Sequence, residues 1–221
     1  MLTINIQLFG GRGASSGGGG FSGGGGLSPS DIVDTTSFVS ARGQYEETVD
    51  EALSVFKEVN DEYGYIVEDI HMATLKGSGA SAIAYYDGSN IGWNETYMNK
   101  KALDKAYADS VKSGFHPSNG NKTAVQAVAS HELGHALSME VGKKIGVYNT
   151  DLASRQILKE AKKQTGHKSM YGLAEKISGY AKQSASEAVA EAFADVYCNG
   201  KKAHKESKAI VNVMNGYLKN N

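Results

Sequence analysis

The run Thr123–Val141, TAVQAVASHELGHALSMEV, contains no proline and consists mostly of strong helix formers, so it predicts one long helix. Residues four apart on a helix share a face, which points the imidazoles of His131 and His135 in the same direction. Two neutral imidazoles at that spacing can bind one zinc ion (Zn2+). Glu132, beside the first of them, is placed to take a proton from a water that the metal activates. The plain alternative is a surface helix with two ordinary histidines.

A zinc peptidase site needs three protein ligands and one open position. A third histidine in the form HExxHxxGxxH is absent, because Ser138 and Val141 stand at the required places. Of the remaining histidines, His167 lies in a Gly-His-Lys turn, and His71, His116 and His204 have no supporting pattern. Each of these reads as a surface or loop histidine. The acidic candidates lie in SASEAVAEAFAD, where Glu187, Glu191 and Asp195 are four apart and line one helix face. The residues between them are nearly all small or apolar, unlike a solvated face. Like charges at this spacing repel by a few tenths of a kcal/mol per pair, so a nearby cation would relieve them.

HELGH followed by a downstream acid helix of the form ExxxE or ExxxD resembles the gluzincin metallopeptidases. In that family the first acid binds zinc and the acid one turn later hydrogen-bonds a ligating histidine, which fixes its tautomer. Two registers fit: Glu187 as ligand with Glu191 behind it, or Glu191 with Asp195 behind it. In the lethal-factor-like branch of the family a tyrosine seven residues before the ligand glutamate points into the site, and Tyr180 stands at that distance from Glu187. The resemblance therefore favours His131, His135 and Glu187 as metal ligands, with Glu132 and Tyr180 catalytic and Glu191 behind a histidine. It implies a zincin-like fold, a zinc-dependent endopeptidase, and a protein or peptide substrate.

Around the motif the chain predicts an α+β domain over residues 30–221. Strands are expected at 65–75 and 80–86, with a hairpin-like reversal at Asp87-Gly88, and the segment from Leu27 to Thr36 reads as turn-like. Helices are expected at 44–62, 97–113, 151–164, 169–178, 184–198 and 203–218, with Asn121 or Thr123 capping the metal helix. The small mixed or antiparallel sheet thus falls in the first half, and the second half is mostly helical. In zinc peptidases a strand just before the metal helix often forms the edge along which an extended substrate pairs, and Ile83 to Tyr86 suit that role.

Residues 1–29 form a separate segment. LTINIQLF alternates apolar and polar, as a strand over residues 2–9 does, and a Gly/Ser-rich stretch follows that does not hold one conformation, so the strand either docks on the domain or on a partner or stays loose as a tail. INIQLFGGRGASS resembles the leader of many virion-associated proteins from tailed phages of Gram-positive bacteria. That resemblance implies contacts with capsid or portal proteins and a place in the virion or the host cytoplasm. The alternative function is a structural virion component with a non-catalytic zinc site. A net charge of -1 gives no electrostatic case for nucleic acid or an anionic membrane. The single cysteine, Cys198, excludes an intrachain disulfide. No apolar run is long enough to span a bilayer, and the N-terminus lacks the basic start and apolar block of a signal peptide.

Overall fold

The computed structural model describes residues 29–219, so the expected docking strand at 2–9 and the Gly/Ser-rich stretch lie outside the described residues. The fold is α+β, with a small mixed sheet formed in the first half and a second half that is almost all helix. Four strands, β1 (Ile32–Ser37), β2 (Ile70–Leu75), β3 (Ala84–Tyr86) and β4 (Ile91–Asn94), stand in the order β1-β2-β4-β3. The β2–β4 pair is parallel, and the two outer pairs are antiparallel.

β1 corrects the turn-like reading of 27–36. Ile32, Val33, Thr35 and Thr36 are β-branched and suit an extended chain. The strand nevertheless shows no alternating burial, because it is an outer strand exposed at every position after Ile32. A register shift between Ile32 and Asp34 breaks its pairing with β2, a common way of blunting an edge. The other strands are shorter than expected. Residues 65–69 precede β2 without joining it, and Gly77–Ser81 form a 3-10 turn, leaving β3 three residues long. The reversal at Asp87-Gly88 is present: Asp87 Oδ1 accepts the amides of Ser89 and Asn90 at 2.9 and 2.7 Å, which folds β4 back onto β3.

Helix α1 (Arg42–Tyr63) connects β1 to β2, α2 (Lys100–Lys112) comes after β4, and α3 (Ala124–Lys144) follows. α3 is buried around its whole circumference from Ala124 to Ser138 apart from Gln126. It packs on α1, α2 and β3, and also on α4 (Thr150–Thr165), α6 (Ala185–Asn199) and α7 (Lys205–Lys219). A helix enclosed on all sides has no polar face to show, which is why its sequence lacks a clear amphipathic stripe. Thr123 starts it with a reciprocal cap: the Gln126 amide donates to Thr123 Oγ1, and the Thr123 amide donates to Gln126 Oε1. α5 (Met170–Ala174) is shorter than the expected 169–178 segment. Around α3 the core is filled by Trp93, Phe38, Ile83, Leu103, Leu133, Leu137 and Ile157. Among the described residues no helix is long and apolar enough to cross a membrane.

Candidate metal centre

α3 and α6 bring the histidine pair and the acid line together. Gly134, inside HELGH, faces Ala190 across the crossing, and there is no room for a Cβ between them. Ser184 caps α6 and its Oγ accepts the Glu187 amide, so Glu187 lies in the first turn, where the helix end favours a carboxylate. Its Oε2 is 3.1 Å from His131 Nε2 and 3.4 Å from His135 Nε2. His131, His135 and Glu187 offer one ligand atom each, all within 4.8 Å of one another, and all three residues are buried. Such a group can hold a metal ion.

The far side of each ring is also engaged. His131 Nδ1 lies 2.9 Å from Glu191 Oε1, and His135 Nδ1 lies 2.8 Å from Ser186 Oγ. A carboxylate only accepts, so in the metal-free chain His131 donates through Nδ1–H to Glu191 and through Nε2–H to Glu187, and it is the Nε2 proton that a metal would displace. Asp195, the third member of the acid line, takes no part. It accepts from the His204 backbone amide and from His204 Nδ1 at 2.9 Å, holding the turn between α6 and α7.

Burial opposes charge on both acids, yet their partners win. His135 and His131 hold Glu187 down to about 2, and His116 and His131 do the same for Glu191. Burial would also lower the pKa of His131, but Glu187 and Glu191 raise it to about 10. Glu132 is in the opposite position. It is fully buried, and neither carboxylate oxygen has a hydrogen-bond partner. Burial, helped by Glu187 and opposed by His131, pushes it up to about 8. A buried carboxyl without donors is costly, and sites of chemistry are where such groups are retained.

Tyr180 sits in a 3-10 turn after α5, with its amide donating to Phe115 O at 2.8 Å. Its ring centre is 6.0 Å from that of His131. Burial, followed by the charges of Glu187, Glu132 and Glu191, keeps its phenol well above the usual range, so it remains a donor. A cleft of about 200 Å³ reaches His135 from the surface, lined by Tyr86, Asp87, Met139, Tyr148 and Ser186.

Sequence reasoning missed two neighbours of Glu191. His116, expected as a surface or loop histidine, is on a loop but only 2% exposed, and its Nδ1 lies 2.9 Å from Glu191 Oε1. Ser178 donates to Glu191 Oε2 at 2.7 Å. The one hint was a histidine between Phe115 and Pro117 in an otherwise polar loop. Ser186, adjacent to Glu187, carried no signal of its own.

Fold and site together define an α+β chain with a buried two-histidine, one-glutamate cluster able to hold a metal ion. Compared with known proteins, the chain matches no family model, no curated protein and no solved structure.

Proposed function

We propose that the protein is a zinc-dependent endopeptidase of gluzincin type acting on a protein or peptide substrate. The observation that carries the reading is the meeting of three possible ligand atoms, two Nε2 and one Oε2, beside a buried carboxyl with no partner. The two imidazole–carboxylate separations are 3.1 and 3.4 Å. In a tetrahedral zinc site, with bonds of about 2.0–2.1 Å, ligand atoms are roughly 3.3 Å apart. Two imidazoles and a carboxylate also favour zinc over magnesium or calcium, which prefer all-oxygen sites.

Zinc, when bound, supplies a Lewis acid for the scissile carbonyl and brings the pKa of water to about 7. His131, His135 and Glu187 would hold it, with Glu191 and Ser186 fixing the two rings from behind. Glu132, next to a cation, is held ionised and accepts a proton as water attacks the carbonyl carbon. It then passes that proton to the leaving nitrogen. Tyr180 stays protonated and donates to the developing oxyanion, a contact whose loss is worth about 2.7–4 kcal/mol in comparable sites. β3 is an outer strand packed on α3, so an extended peptide can pair along it and present its carbonyl near His135.

Glu132→Ala tests the assignment. Zinc content should match the parent while cleavage of a peptide library collapses, and retained cleavage would remove Glu132 as the base. A virion setting rests on the leader-like segment INIQLFGGRGASS; deleting residues 1–26 should abolish association with particles and leave hydrolysis untouched.

A further inference from the structure

We propose that His116 is a positioning residue of the metal site, acting on His131 through the carboxylate of Glu191. This builds on the metal reading above. Glu191 Oε1 takes two imidazoles, His131 Nδ1 and His116 Nδ1, each at 2.9 Å, while Oε2 takes the Ser178 hydroxyl at 2.7 Å. Because the carboxylate only accepts, both rings donate Nδ1–H to it. Three donors on two oxygens fix the carboxylate plane, and that plane fixes the direction of the His131 ring. Removing His116 frees one side of Oε1, and the carboxylate can then turn away from His131.

His116 is itself held firmly enough to act this way. Its ring stacks on Tyr107 with centres 5.7 Å apart and planes 18° apart. It meets Phe115 edge-on at 5.0 Å and lies 5.1 Å from Tyr180. Its loop is fastened to the Tyr180 turn by two backbone bonds, Gly179 N–H to Gly114 O at 2.9 Å and Tyr180 N–H to Phe115 O at 2.8 Å. The same histidine therefore ties the loop after α2, the tyrosine turn and α6 to one carboxylate.

A ring that merely fills space and a ring that orients Glu191 predict opposite results for two substitutions. His116→Phe keeps the ring and removes the donor. His116→Asn removes the ring and keeps a donor near the Nδ1 position. Zinc affinity of the full chain, measured by competition with a chromophoric chelator, should fall about 10–100-fold in His116→Phe and stay within about threefold of the parent in His116→Asn. A Phe variant that binds as tightly as the parent, or an Asn variant that loses as much as Phe or more, overturns the proposal. A second measurement needs no variant: in histidine-labelled parent protein, nitrogen NMR should show both His116 and His131 protonated at Nδ1. His116 protonated at Nε2 alone would also overturn it. Should the parent take up no zinc, the metal reading falls and this role falls with it. Should the parent bind zinc and the variants rank in the wrong order, only the role of His116 falls.

Discussion

Gly134 lies directly against the backbone of Ala190: a Cβ built on the glycine would sit 2.7 Å from the Ala190 Cα and 3.1 Å from the Phe193 Cβ. The two helices that carry the histidines and the acids are therefore in backbone contact inside the motif itself. Closer approach than side chains normally allow is what lets Glu187 reach both imidazoles.

That contact makes Gly134→Val a sharp probe. The valine must push α3 from α6, with a stability loss of about 1–3 kcal/mol typical of overpacking. It should weaken zinc binding as well, because Glu187 moves with α6. Urea unfolding and a zinc titration report the two effects separately. Parent-like values in both would mean the helices do not touch at this point.

Glu187 and Glu191 should separate cleanly. Glu187→Gln replaces the carboxylate that both Nε2 atoms face with a neutral amide, and zinc uptake should be lost. Glu191→Gln leaves that oxygen in place and should weaken uptake by about 10–100-fold. Metal content after dialysis against a weak chelator ranks them, and the reverse ranking would assign the ligand role to Glu191.

Zinc affinity should fall as pH falls. Glu187 and Glu191, against burial, hold the His131 pKa up to about 10, so zinc must displace a proton from that ring. Below that pKa each displaced proton weakens apparent affinity by about tenfold per pH unit. Chelator competition at pH 6, 7 and 8 should show at least this slope, and a flat profile would argue against a proton on the ring.

Glu132 gives a second pH effect, in the metal-free chain. Burial holds its pKa at about 8, above the unfolded reference of 4.5. Its contribution to stability is thus complete below about 4.5 and is lost as pH rises toward 8. Glu132→Gln has no proton to lose there, so its melting temperature relative to the parent should climb from pH 5 to pH 8 with chelator present. A difference that does not change with pH would show that the carboxyl is solvated.

The sequence alone determined what depends on near neighbours. His131 and His135 share a face because helical periodicity puts residues four apart together, and Glu187, Glu191 and Asp195 form a line for the same reason. Local signals narrowed the start of α3 to Asn121 or Thr123, and the reciprocal Thr123–Gln126 cap places it at Thr123. The α+β order is likewise written in local patterns of period two and 3.6.

Tertiary structure decided which members of those lines meet. All three acids occupy one face of α6, and only the close crossing at Gly134 and Ala190 brings Glu187 to the imidazoles and leaves Asp195 holding His204. β1 escaped notice because an exposed outer strand has no buried face to impose alternation. His116 and Ser178 escaped it because their partner is 75 residues away for one and on another element for the other. Periodicity is a property of neighbours along the chain, whereas convergence on a shared atom is set by packing between distant segments.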